Sequence, residues 1–160
     1  MRLVIAGIGK MKAGADRELV DRYLERARKA GRAIGFSGPD LTELPEARAA
    51  RADDRKQAEA ESLLATMPAP RILVALDEHG RTMPSQDFAQ RIGRWRDDGA
   101  GSLVFAIGGA DGHGRALLQQ ADLKLAFGPM TWPHQMVRIM LAEQIYRAIS
   151  ILSGHPYHRE

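Results

Sequence analysis

The chain has 160 residues, 44% hydrophobic and 27% charged, with no cysteine and a formal net charge of +3. One domain with a buried core fits that length and balance, whereas disulfides, thiolate metal sites, cysteine nucleophiles and a membrane-spanning run of ~18 apolar residues are excluded. The mild excess of 23 Lys+Arg over 20 Asp+Glu permits a polyanionic partner without demanding one.

The opening run, Met1-Arg2-Leu3-Val4-Ile5-Ala6-Gly7, reads as a strand over 3–8 and lacks the pattern of a signal peptide, and the absence of cysteine fits a cytoplasmic location. Helical spacing follows over 16–30, where Leu19, Val20, Tyr23, Leu24 and Ala27 recur on one face and Gly31 is the expected stop. Gly35, Gly38 and Pro39 suggest a turn before a weak strand at 40–44. An exposed loop from residue 46 runs into a largely solvated helix at 54–67, ended by Pro68 and Pro70. The continuous apolar run 71–77 fits a strand buried on both faces, and Glu78-His79-Gly80-Arg81 reads as a turn. Ser85 is the expected N-cap of a helix to 96, with Phe88, Ile92 and Trp95 inside. A second buried strand spans 102–107. A glycine loop, a short helix near Leu117, a short strand at 123–126 and a long helix at 133–152 complete the chain. This alternation predicts an α/β fold in a single domain over 1–160, a mainly parallel sheet with helices on both faces.

Three loops follow apolar strands: Leu76-Asp77-Glu78, Gly108-Gly109-Ala110-Asp111-Gly112 and Phe127-Gly128-Pro129-Met130-Thr131-Trp132. Ligands in such sheets sit beyond the carboxyl ends of strands, and glycines there admit close backbone approach. The glycine loop is neither a dinucleotide fingerprint nor a triphosphate loop. His134 and Arg138, four apart at the start of the last helix, suit either an RNA-phosphate site or an exposed polar face. Glu143 and Arg147 have the spacing of an intrahelical ion pair. That helix is apolar nearly all round, so a second subunit is expected to cover part of it. The tail His155-Pro156-Tyr157-His158-Arg159-Glu160 combines groups that stack on bases and pair with phosphates. No acid or cysteine accompanies His155 and His158, so no metal site is expected. His113 lies close to the glycine loop and suits either a substrate contact or, the preferred reading, an exposed turn.

These segments, together with Ala75-Leu76-Asp77, Ile107-Gly108-Gly109-Ala110-Asp111-Gly112, Thr131-Trp132-Pro133-His134-Gln135-Met136-Val137-Arg138 and Gly154-His155-Pro156-Tyr157-His158-Arg159-Glu160, resemble the ribosomal RNA large-subunit methyltransferase H family. That family is a small branch of the SPOUT superfamily, and the likeness spans essentially the whole chain. The resemblance implies a SPOUT-type α/β knot, a deep trefoil in the C-terminal part, and a homodimer. It implies methylation of nitrogen-3 of a pseudouridine in 23S ribosomal RNA with S-adenosyl-L-methionine as cofactor. By position, the cofactor would contact Leu76, Gly108, Phe127, Gly128, Pro129, Met130, Thr131 and Trp132. Two departures stand out: Ala110-Asp111 replaces a frequent Pro-Glu, and Trp132 replaces a smaller apolar residue. In this reading His134 and Arg138 position the RNA, while Tyr157, His158 and Arg159 complete the catalytic site from the other subunit. His134, Asp111, Glu143 and His158 are all candidates for the general base. Two competing readings are a nucleotide-binding α/β hydrolase or transferase and a non-catalytic RNA-binding module.

Overall fold

The computed structural model describes residues 1–158. Its strands are β1 (Arg2–Ile8), β2 (Ser37–Leu44), β3 (Ile72–Arg81), β4 (Ser102–Ile107) and β5 (Leu123–Leu125). The α-helices are α1 (Ala15–Gly31), α2 (Ala52–Thr66), α3 (Ser85–Asp97), α4 (Arg115–Gln120) and α5 (His134–Leu152). All pairings in the sheet are parallel, in the order β2-β1-β4-β3-β5.

Strand side chains alternate between faces, and the core divides accordingly. Leu3 and Ile5 of β1, Val74 and Leu76 of β3 and Leu103, Phe105 and Ile107 of β4 enter one cluster. There they meet Val20 and Leu24 of α1, Phe88 and Ile92 of α3, and Leu141, Ile145 and Ile149 of α5. Val4, Ala6 and Ile8, Leu73 and Ala75, and Val104 and Ala106 enter the other, against Ala60 and Leu63 of α2 and Leu117 of α4. The expected α/β sheet with helices on both faces is therefore present. No helix among the described residues is long and apolar enough to cross a membrane.

Local departures from the sequence reading have identifiable causes. Helix α1 continues through Gly31 into a 3₁₀ turn, and the chain reverses at Gly35, which has φ 81°. Gly31 serves packing instead: a Cβ there would lie 3.1 Å from the Phe36 Cβ and 3.3 Å from Ile149. Gly38 and Pro39 lie inside β2 rather than before it, at a register shift. Proline is tolerated there because β2 is an edge strand. Glu78 to Arg81 is not a free turn; β3 continues past an irregularity until Arg81 pairs with Leu125. Ser85 is not the cap of α3, since Pro84 occupies that position and the Ser85 hydroxyl donates to Gln144 Oε1 at 2.7 Å.

Helix α5 finds much of its cover within the subunit. It runs between α1 and α3, which bury Leu141, Ala142, Ile145, Ala148 and Ile149 within one subunit. Gly93 of α3 makes room for Leu152, whose Cδ2 lies 2.9 Å from where a Cβ would stand. The all-round apolar character is thus met mostly inside the monomer. Met136 remains 40% exposed, and Ile139 and Met140 are only half-buried.

Candidate active site

The carboxyl ends of β3, β4 and β5 open onto a cleft of about 400 Å³. A small organic ligand of nucleoside size fits that volume. Its walls include Leu76, Gly108, Phe127, Gly128, Met130, Thr131 and Trp132, which are all but Pro129 of the expected cofactor contacts. Ile107, Leu118 and Leu125 make the interior apolar, while Lys56, Asp77, Glu78 and Asp111 bring charge to it. The glycine loop is closely folded. Gly112 N–H donates to the Gly109 carbonyl at 3.0 Å, and a Cβ on Gly108 would stand 2.9 Å from the Gly112 carbonyl carbon. Only glycine permits that approach. On the opposite wall, the Thr131 hydroxyl donates to Glu78 Oε2 at 3.0 Å and joins two of the three loops.

His134 opens α5, lines the cleft and is half-buried. Its Nε2 lies 3.7 Å from the position of a Cβ on Gly9, so the end of β1 is adjacent. Arg138, one turn on, does not share this exposure. It is 1% exposed and points into the body of the fold. Its guanidinium donates to Glu43 Oε1 at 2.8 Å, to the Gly9 carbonyl at 2.6 Å and to the Ile8 carbonyl. Burial pushes this guanidinium below its ordinary value, with Glu43 opposing the shift. Both expectations for Arg138, a phosphate ligand or an exposed polar residue, are therefore corrected: it clamps α5 to the ends of β1 and β2.

The tail lies elsewhere in the same subunit. The Tyr157 hydroxyl donates to Glu143 Oε1 at 3.0 Å, and Arg147 donates to the same oxygen at 2.5 Å. The Arg147 guanidinium stacks 4.9 Å from the Tyr157 ring centroid, and its Nη1 is 3.3 Å from His158 Nδ1. Glu143 and Arg147 form the expected intrahelical pair, but they also hold the tail. Tyr157 and His158 do not line their own subunit's cleft. Arg159 lies outside the described residues.

Two candidate bases are already engaged. Arg55 grips Asp111 through two hydrogen bonds, 2.7 and 3.2 Å, and holds its carboxyl below the usual range. Glu143 accepts from Arg147, Tyr157 and Gln144. His134 is the candidate that both lines the cleft and has no such partner tying it down among the described hydrogen bonds.

Three features escaped the sequence reading. Arg55 and Asp111 are 56 residues apart, a pairing with no sequence signature. Glu59 is 6% exposed and accepts from Ala47 N–H at 3.0 Å beneath the glycine loop. Its place on the same helical face as Leu63 was a usable sign that it turned inward. His113, expected in solvent, is 9% exposed and lines the cleft. Burial lowers its pKa, with Asp77 and the carbonyls of Ala106 and Leu76 opposing. Among the described residues no group of three His, Asp or Glu is placed to hold a metal ion.

A family model described as a predicted SPOUT methyltransferase matches residues 1–158. Proteins named ribosomal RNA large subunit methyltransferase H are similar over 159 residues, with 99% of each chain covered. They include those of Beijerinckia indica subsp. indica (55% identical), Xanthobacter autotrophicus (54%) and Bradyrhizobium diazoefficiens (53%). Among solved structures, the Legionella pneumophila protein Lpg2936, with the cofactor SAM bound, overlaps with a TM-score of 0.44 at 12% identity. That overlap covers 91% of this chain and 65% of the other, and is too loose to bear on the site.

Proposed function

The chain belongs to the SPOUT methyltransferase family, and from that membership we propose that it methylates nitrogen-3 of a pseudouridine in large-subunit ribosomal RNA, with S-adenosylmethionine as donor. The name shared by its full-length relatives supports the RNA substrate. The observation that carries the reading is the cleft itself, where three loops distant in sequence meet at one edge of the sheet. We further propose that residues 1–160 form one cytoplasmic domain, knotted through these loops, that acts as a homodimer. A second hollow of about 450 Å³, lined by Tyr23, Met83, Phe88, Phe127, Ile139 and Met140, supports the dimer as an apolar seat beside the exposed end of α5.

The residues present fit the cofactor. The volume is adequate, apolar walls suit a purine, and the glycine loop presents backbone at short range. Bound there, S-adenosylmethionine supplies an already activated methyl group on a sulfonium, so positioning is much of the catalytic task. Leu76, Gly108 and the run from Phe127 to Trp132, Pro129 included, would hold it. His134 takes the nitrogen-3 proton as attack proceeds, a role supported by its position in the cleft wall. Arg138 acts indirectly, by fixing the helix start that carries His134. Tyr157, His158 and Arg159 would reach the cleft of the partner subunit, because the tail's own cleft is not lined by Tyr157 or His158.

Calorimetry with S-adenosylhomocysteine and methyl transfer to ribosomes test this together. His134→Ala and a chain lacking residues 155–160 should bind the ligand normally yet lose roughly 10²–10⁴-fold in transfer rate, the range for a general acid–base group. Undiminished turnover in both variants would remove the assignment.

A further inference from the structure

The loops that follow β1 and β2 carry charge that the proposed mechanism does not use. Residues 9–14 and 45–51 hold four cations, Lys10, Lys12, Arg48 and Arg51, against one acid, Glu46. That local excess is as large as the +3 of the whole chain, so the remaining residues balance to zero. All four cationic residues are exposed, and none enters a salt bridge among the described residues. Arg51 has only a through-space attraction to Asp53, whose close partner is Lys56 at 3.0 Å. A concentrated, unneutralised basic surface is the electrostatic footprint of a polyanion site.

The fold sets this charge beside the cleft. Every strand pairing is parallel, so both loops leave the same edge of the sheet as the three cleft loops. Gly9 N–H donates to the Leu44 carbonyl at 2.7 Å. A Cβ on Gly9 would stand 3.1 Å from Glu46 Oε1 and 3.7 Å from His134 Nε2. The two loops therefore meet next to the proposed general base, with the single acid lying against Gly9. Both backbones are anchored. Met11 is buried and its N–H donates to Glu43 Oε1 at 2.9 Å, while Lys10 and Lys12 on either side of it are exposed. Ala47 N–H donates to the buried Glu59 at 3.0 Å, and Arg55 donates to the carbonyls of Ala49 and Ala50 at 3.0 and 2.9 Å. Arg48 lies between these tethers and Arg51 directly follows them. Cations on an anchored loop lose less freedom on binding than cations on a loose one.

We propose that these two loops form the surface that grips the RNA, with Lys10, Lys12, Arg48 and Arg51 contacting backbone phosphates beside the target base. This rests on the RNA methyltransferase reading above and adds to it the residues that hold the polyanion. Neither loop carries an aromatic ring to stack on a base or an amide side chain to read its edge, so the contacts are to phosphate. Phosphate contacts fix register and orientation without reading sequence. The loops thus supply affinity and placement, and the cleft supplies the chemistry.

The test compares full-length wild type with Lys10→Ala/Lys12→Ala, with Arg48→Ala/Arg51→Ala and with all four substitutions together, in methyl transfer to ribosomes over a range of KCl. Arg32→Ala/Arg94→Ala, at exposed residues near the far ends of α1 and α3, controls for net charge alone. The four-fold variant should raise the KM for ribosomes roughly 10- to 100-fold and flatten the logarithmic salt dependence by about 0.7–1 per cation removed. Its S-adenosylhomocysteine affinity and melting temperature should match wild type, whereas a merely structural role would shift them. The control pair should leave KM and salt slope near wild type. A second arm follows the fluorescence anisotropy of a labelled, protein-free RNA stem-loop, whose binding should weaken by a similar factor. Stem-loop binding that survives all four substitutions, with the ribosome KM raised, would assign the loops to an acidic ribosomal protein and overturn the proposal. Unchanged KM and salt slope would overturn it too, as would an equal effect of the control pair. If wild type transfers no methyl group to ribosomes, the methyltransferase reading falls, and stem-loop binding alone decides whether the loops hold RNA.

Discussion

Arg138 illustrates how a single side chain can be misread from its spacing. At i+4 from His134 it belongs on the same helical face, yet its reach lets the guanidinium turn under the helix to the carbonyls of Ile8 and Gly9. Gly7 makes this possible, since a Cβ there would lie 3.0 Å from Arg138 Nη2. Glu43 neutralises the buried charge and also accepts from Arg17 and from the Met11 N–H, so one carboxylate gathers α1, the β1 loop and α5. Arg138→Met keeps much of the volume but strands two carbonyls and part of Glu43. It should therefore cost roughly 3–5 kcal/mol in urea unfolding, as breaking a buried ion pair does. A loss below about 1 kcal/mol would contradict the clamp, since surface pairs are worth no more than that. His134 was legible because it opens a helix beside a glycine-containing loop; the burial of Arg138 was not, because its partners come from β1 and β2.

At the scale of elements, the tail and α5 behave as one unit. Tyr157 packs 4.6 Å from the Tyr146 ring centroid and donates to Glu143. Its phenol is held above its ordinary value, first by burial and then by its bonds to Tyr23 and Glu143. The sign follows directly. A free phenol loses its proton near pH 10, whereas the docked one retains it, so docking is at full strength below about pH 10 and weakens as pH climbs through the docked value. Tyrosine-ring NMR between about pH 9 and 12 should show Tyr157 still protonated where a free phenol has ionised, with the tail held throughout that window. Titration of Tyr157 near pH 10, as a free phenol titrates, would show that the contact is not formed in solution. The intrahelical spacing of Glu143 and Arg147 was readable; that they also anchor the tail depends on where α5 ends and the chain turns back.

For the whole molecule, the proposed homodimer would divide the catalytic groups between two subunits. If each cleft takes its tail from the partner, His134→Ala chains and chains lacking residues 155–160 should complement one another. Random pairing about a two-fold axis gives heterodimers with one intact site, so the mixture should recover about a quarter of wild-type transfer. Activity no greater than that of either variant alone would rule out the crossed tail. A charge at Met140, half-buried beside the apolar hollow, should shift the protein to monomer in sedimentation and abolish transfer while cofactor binding is measured separately. The sequence by itself determined the alternation of strands and helices, the double burial of β3 and β4, and the three loops at the cleft, because apolar periodicity and glycine placement are local properties. Only the tertiary structure decided that α5 is covered chiefly by α1 and α3, that Arg138 and His113 are buried, and that Arg55 occupies Asp111. Each of these depends on which distant elements become neighbours in the sheet order β2-β1-β4-β3-β5, and burial and pairing are properties of neighbours rather than of spacing.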